Sequence, residues 1–291
     1  MKIAICMSGQ PRTWKNCHPG LSKLIEHFKQ VYSAEQVDIF SHAWDFNTLP
    51  HAIVAAEGQV KTELIDHYLN IQGIKISELE KVEFVETFRP VSYLFEDQEI
   101  SKKKILDVYN KGKVHQMEHG GSTLEWAGSQ FYGIMRAASL KKKHELDNGF
   151  RYDMCVRIRH DLFFADEQIN WFFNEANTDA NIPEYNTFYT CHVAKDANQF
   201  PFHRTGDLFW YADSVTFDRI CDFYRWLPII GKRTFNKNLV APENALYFYA
   251  KMLRMKIHPL TFDPKIFRAD DYLIKRTEVG LQGNLESHEH I

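Results

Sequence analysis

The segment Tyr152-Asp153-Met154-Cys155-Val156-Arg157-Ile158-Arg159-His160-Asp161-Leu162-Phe163-Phe164 constrains this chain more than any other stretch. It reads as a buried strand whose apolar run is broken, toward its end, by two arginines and an acid. Arg157, Arg159 and Asp161 stand at i, i+2 and i+4, a spacing that places them on one face of a strand. Taking two cations and a carboxylate out of water costs several kcal/mol per ion, so an apolar core accepts them only with partners. Such a face either closes on itself as a buried salt-bridge cluster or ends at an anionic ligand, often one accompanied by a divalent metal.

A chain of 291 residues is long enough to bury that strand in one large α/β domain or two small ones. Its 44% hydrophobic and 25% charged residues are those of a soluble globular protein. A net charge of −3 supplies no overall attraction to nucleic acid, so no nucleic-acid partner is expected. The basic runs Lys102-Lys103-Lys104 and Lys141-Lys142-Lys143 read as solvated helix faces. No apolar stretch reaches the ~20 residues that span a bilayer, and Met1–Met7 is too short for a signal peptide. Five dispersed cysteines without a CxxC pair suggest neither a disulfide framework nor a zinc site. Together these features place the expected protein in the cytoplasm, without a transmembrane segment.

Lys2–Met7 reads as a buried strand that ends in the loop Ser8-Gly9-Gln10-Pro11-Arg12. Leu21–Tyr32 follows as a helix, with Leu21, Leu24, Ile25 and Phe28 on one face. Val37–Asp45 reads as a second strand, Thr62–Ile71 as a helix and Lys81–Thr87 as a third strand. That alternation is the pattern of a parallel sheet with crossover helices. Residues 90–125 read as a polar insertion or loop. Trp126–Asn148 reads as a long helix with Phe131, Ile134, Met135, Ala138 and Leu146 as its apolar positions, stopped at Asn148-Gly149 by a left-handed cap. Phe188–Cys191, Asp207–Tyr211 and Lys256–Leu260 are later strands, and Val215–Trp226 and Pro242–Arg254 later helices. The fold class that results is α/β, a Rossmann-type, mostly parallel central sheet flanked by helices. Residues 1–291 form one domain in two halves, 1–166 and 167–275, with 276–291 as a loose tail.

Ligands of open parallel sheets bind outside the carboxyl ends of the strands. After the first strand, Ser8, Gly9, Gln10 and Arg12 offer a hydroxyl, a flexible backbone, an amide and a guanidinium suited to bidentate phosphate contact. After the second come His42, Trp44 and Asp45. An aromatic plane beside an acid suits a nucleoside, although Trp44 equally fits a partly buried core. The third end is Arg157-Ile158-Arg159-His160-Asp161. The chain has neither a Walker P-loop nor a GxGxxG fingerprint. A strand-end carboxylate such as Asp161 suits Mg²⁺ or Mn²⁺ bridging a diphosphate, with the arginines neutralising the same diphosphate.

These segments resemble the nucleotide-sugar-dependent glycosyltransferases of the GT-A fold, particularly the WavE-like and other lipopolysaccharide- or surface-glycan-type groups of bacteria and viruses. The resembling stretches are Ser8–Arg12, Asp38–Trp44, Ser129–Tyr132, Tyr152–Phe164 and Pro242–Asn244, in order along most of the chain. The resemblance implies a nucleotide-diphosphate sugar donor held by the first half, at Ser8, Gly9, Gln10, Arg12, Trp44, Asp45, Arg157, Arg159 and Asp161. It implies a glycan or other hydroxyl acceptor bound by the second half. It also sets Arg157–Asp161 where these enzymes carry an Asp-x-Asp metal motif, making Asp161 the ligand of Mn²⁺ or Mg²⁺. Arg159 fills the first acidic position of that motif, and one carboxylate holds such a cation weakly without help from phosphate and water. His160 points to the opposite face, and His203 and His258 are further candidate ligands. Asp207 and Glu243 are the candidate general bases, since inverting transfer needs a carboxylate to deprotonate the acceptor hydroxyl. Glu243 after Pro242 at a helix start equally serves the helix dipole. Two other functions fit the same strand ends: a non-catalytic nucleotide- or glycan-binding protein, and a metal-dependent phosphohydrolase or nucleotidyltransferase. The latter chemistry assembles several carboxylates around its metals, and few acids accompany Asp161.

Overall fold

Lys2–Gly9 forms β1, and its alternation decides what lies on either side of the sheet: Ile3, Ile5 and Met7 pack into one core, Ala4 and Cys6 into another. The structure is a computed structural model that describes residues 1–11, 14–47, 74–98, 103, 124–164, 166, 169–170, 173, 183–192, 205–227, 242–260 and 265–266. Of 46–47, 74, 124–127, 163, 192, 205–207, 242–244 and 265–266 it describes the backbone alone. The Thr62–Ile71 helix, the Lys102–Lys104 run apart from Lys103, and the tail from 276 lie outside these residues.

The strands that join β1 are β2 (Gln36–Trp44), β5 (Ser92–Glu96), β6 (Met154–Ile158), β8 (Thr187–His192), β9 (Thr205–Ala212) and β10 (Lys256–Leu260). Their order across the seven-stranded sheet is β5-β2-β1-β6-β9-β8-β10. Among the described residues β9 alone runs against the rest. The chain moves outward from β1 through β2 to β5, then crosses back to place β6 on the other side of β1. The winding reverses between β1 and β6, the position at which open parallel sheets bind ligands outside their carboxyl ends. Two short ribbons lie outside the sheet: β3 (Phe46–Asn47) with β4 (Ile74–Lys75), and β7 (Leu162–Phe163) with β11 (Lys265–Ile266).

Helices cover both faces. On one lie α1 (Trp14–Val31), which buries Leu21, Leu24 and Phe28, and α2 (Glu78–Phe88), which buries Phe84 and Phe88. On the other lie α3 (Leu124–Asn148), α4 (Ser214–Cys221) and α5 (Pro242–Met252), packed on Phe40, Cys155 and Trp210. The α/β class and the mostly parallel sheet are as the sequence pattern implies.

Local readings differ in four places. Lys81–Thr87 is helix, not strand. Ser77 Oγ accepts from the Glu80 amide at 3.2 Å while the Glu80 carboxylate accepts from the Ser77 amide at 2.9 Å, a capping box that starts α2. Phe84 and Phe88, four residues apart, then supply its buried stripe, and Arg89 in the left-handed region ends it. The third parallel strand is instead β5, within the stretch read as an insertion; only five residues long and at the sheet edge, it leaves Tyr93 half exposed and shows no apolar alternation. Lys141 is not a solvated residue. It is fully buried, with Nζ 2.8 Å from Asp218, 3.0 Å from Glu145 and 2.7 Å from Ser214 Oγ. Burial pushes its pKa down, but Cys155, Asp218 and Glu145 together push it further up, so the ammonium stays charged and ties α3 to α4. Leu146, counted as apolar face, points to solvent, whereas Gly149 takes the left-handed φ of +68° that caps α3.

The turn after β6 is pinned from below. A Cβ at Gly20 of α1 would lie 2.6 Å from the Phe164 carbonyl oxygen, closer than real atoms approach. Gly20→Ala therefore forces α1 and the 162–164 segment apart. Overpacking of this kind costs about 1–3 kcal/mol, and urea unfolding should show a loss in that range; a variant as stable as the parent would contradict the close approach.

Candidate functional site

The three strand ends singled out by the sequence leave the sheet side by side, with that of β1 between those of β2 and β6. β1 and β6 are paired up to Met7 and Ile158, so Ser8–Gln10 and Arg159–Asp161 emerge as neighbours at the winding reversal. Ser8 and Gln10 are buried, and Gln10 Nε2 donates to Gln98 Oε1 at 2.8 Å, joining this end to the one after β5. Gly9 has φ +128°, a conformation that L side chains rarely adopt and glycine adopts freely. Arg12 lies outside the described residues.

The single strand face expected for Arg157, Arg159 and Asp161 does not extend that far, because β6 stops at Ile158. Arg157 is a buried strand residue whose Nη1 donates to the Leu208 carbonyl on β9. Arg159 and Asp161 meet across the following turn. Nε and Nη2 of Arg159 donate to Oδ1 and Oδ2 of Asp161, each at 2.7 Å, a planar two-pronged fork. The carboxylate is 1% exposed, while the guanidinium side chain retains 19% exposure. His160 turns the other way, to Ser41 Oγ at 3.0 Å with its ring edge on Phe84. Burial lowers its pKa to about 3, so it is neutral at pH 7. This strand end thus brings together two guanidiniums, one buried carboxylate and a neutral imidazole.

At the β2 end, Trp44 is buried, its ring stacked on Tyr132 at 5.8 Å and meeting His42 edge-on at 4.5 Å. Asp45 is largely buried, 3.6 Å from the Lys75 ammonium, and its backbone bridges Glu96 and Ile76. Beside them is a cluster the sequence did not reveal. His42 and Arg136 both reach Glu96 Oε2, at 3.0 and 2.9 Å; a second Arg136 nitrogen and the Tyr132 hydroxyl reach Oε1. α3 comes close here because position 133 is glycine: a Cβ there would lie 3.1 Å from the His42 ring nitrogen. Burial alone would raise Glu96, but the His42 and Arg136 hydrogen bonds outweigh it and hold the carboxyl at about 2. Burial lowers His42 against the opposing pull of Glu96.

Of the two candidate bases, the strand register places the Asp207 backbone near the carboxyl end of β6. β9 runs antiparallel to β6 with Arg157 opposite Trp210, so Asp207 sits toward the end where Arg159–Asp161 emerges. Glu243 is in the first turn of α5, the helix that returns the chain to the start of β10. The side chains of both lie outside the described atoms, as does His203. His258, on β10, packs against Tyr189 at 5.0 Å. Among the described residues no three His, Cys, Asp or Glu side chains come together in a way that could hold a metal ion. Asp161, the expected ligand, already has both oxygens on Arg159. A divalent-cation site built by this chain's described residues does not fit this strand end. No described helix is long and apolar enough to cross a membrane.

No protein-family model and no curated protein matches the sequence. Among solved structures, the apo form of mouse xyloside xylosyltransferase 1 is similar at a TM-score of 0.40 and 8% identity, over 89% of this chain and 84% of that one.

The Glu96 cluster carries a pH signature. A carboxyl held below its ordinary 4.5 contributes stability that is fully present above 4.5 and is lost as pH falls toward about 2. Denaturant unfolding between pH 7 and 3 should show that decline in the parent and a flatter profile in Glu96→Gln, with the variant less stable at pH 7. Superimposable profiles would contradict the assigned pairing.

Proposed function

We propose that this chain is a nucleotide-sugar-dependent glycosyltransferase of the GT-A type, with its donor site outside the carboxyl ends of β1 and β6. The observation that carries the reading is the juxtaposition, at the winding reversal of a mostly parallel sheet, of the Ser8-Gly9-Gln10 turn with a strand end that carries two arginines. A diphosphate matches a guanidinium, and oriented guanidiniums stabilise the negative charge that grows on a departing nucleotide. In this reading Ser8, Gly9, Gln10 and Arg12 line the donor side, and Arg159 faces the diphosphate with the buried Arg157 behind it. Asp45 takes the nucleoside side, with Trp44 behind it as a core support, its ring already covered by Tyr132 and His42.

In the transfer step the acceptor hydroxyl oxygen bonds to the anomeric carbon as that carbon's bond to the diphosphate oxygen breaks. The hydroxyl proton passes to a carboxylate when the configuration inverts, and Asp207 and Glu243 are the two acids offered for it. The acceptor is a glycan or another hydroxyl compound. The fork that compensates Asp161 within the protein favours, as a second reading, a nucleotide- or glycan-binding protein without turnover.

Incubating the protein with a panel of nucleotide sugars, and measuring released nucleoside diphosphate, separates these readings. Release from at least one donor is expected, with Asp207→Asn or Glu243→Gln lowering it by about 10²–10⁴-fold, the span of general-base catalysis, while nucleotide affinity is kept. Binding without release over long incubation selects the second reading, and no binding of any nucleotide rejects both.

A further inference from the structure

We infer that Arg159, braced by Asp161, takes the place at this strand end that a divalent cation would take against a diphosphate, so that nucleoside diphosphate is bound without added metal. The inference rests on the glycosyltransferase reading and concerns how that same site handles charge. Its ground is the donor set. A carboxylate that binds Mg²⁺ or Mn²⁺ must present an oxygen to the ion, and both oxygens of Asp161 are taken by one guanidinium at 2.7 Å. A cation entering there would have to displace Arg159 from a partner that is 1% exposed, leaving a guanidinium stripped of its counter-charge. No second acid, histidine or thiol joins Asp161 into a three-ligand group among the described residues.

The polarity of the pair points the same way. The acid is the inner member and the guanidinium the outer, 19% exposed, so what a ligand at this strand end meets first is the cation. A guanidinium carries five N–H donors in a rigid plane, which lets it grip a carboxylate along one edge and a phosphate along another. Arg157, two residues upstream, is buried and donates to the Leu208 carbonyl on β9. Asp161 is thus a positioning residue: it sets the plane of Arg159 and touches no substrate.

The test is calorimetric titration of the whole protein with uridine, guanosine, adenosine and cytidine diphosphates, each in EDTA and in Mn²⁺. Whichever diphosphate binds in Mn²⁺ should bind within about threefold as tightly in EDTA. Arg159→Ala should weaken that diphosphate at least tenfold in both buffers while leaving the parent nucleoside unaffected, since a nucleoside has no phosphate; Arg159→Lys should restore part of the loss. Asp161→Asn should also weaken the diphosphate selectively and should not alter its response to Mn²⁺. These magnitudes follow from a charge-assisted bond of about 1.5–3 kcal/mol, roughly ten- to hundredfold. Binding that appears only with Mn²⁺, or an Arg159→Ala loss shared equally by the nucleoside, overturns the inference and leaves the glycosyltransferase reading standing. Absence of binding by all four diphosphates in both buffers overturns that reading itself.

Discussion

A carboxylate as buried as Asp161 persists in a folded chain only if a positive group compensates it, and in this protein that group is the guanidinium two residues upstream. The pairing spans the turn that begins directly after Ile158, where β6 ends. The turn in turn fixes everything around it. His160 is directed across to Ser41 and Phe84 on the α2 side, and the 162–164 segment descends onto α1 at Gly20, where there is no room for a side chain. The end of this central strand is therefore braced on both sides, next to the turn that follows β1.

The two faces of the sheet divide the remaining work. On the α1/α2 side the strands meet almost pure hydrocarbon and aromatic rings. On the α3 side the core is crossed by two polar networks: Lys141 with Glu145, Ser214 and Asp218, and His42 with Glu96, Arg136 and Tyr132. Partly desolvated groups of this kind are costly unless fully paired, and pairing them specifies one arrangement of helix on sheet. α3 is tied near its carboxyl half to α4 and near its amino half to the ends of β2 and β5. The edge that carries the proposed donor site is thereby held from one side by polar pairs and from the other by packing.

How much of this the sequence disclosed depended on whether the signal was local. β1, β2 and the later strands are short apolar runs with punctuated ends, and they fall close to where the residue pattern places them. Gly149 announced the end of α3 for the same reason. α2 reads as a strand because Val82 and Phe84, with Glu83 between them, mimic alternation, although Ser77 and Glu80 spell out its capping box. β5 had no signature of its own: it is an edge strand, stabilised by its neighbour β2 rather than by an apolar face. The fork at Arg159–Asp161 was foreseeable as a cluster, but not its geometry, since the spacing presumed a strand that ends too soon. The Glu96 cluster was beyond reach, because its members come from β2, β5 and α3 and only the packing of Gly133 on His42 brings them together. Lys141 lay hidden in a run of three lysines of which its two neighbours are exposed.

A crystal structure of the whole chain with the nucleoside diphosphate that it binds most tightly would locate the ligand against this framework. The expected result puts the phosphates outside the carboxyl ends of β1 and β6, within hydrogen-bonding distance of the Arg159 guanidinium, with Asp161 still gripping that guanidinium from behind. Phosphates bound at another edge of the sheet, with the Arg159–Asp161 pair remote from them, would show that the buried fork serves the fold alone.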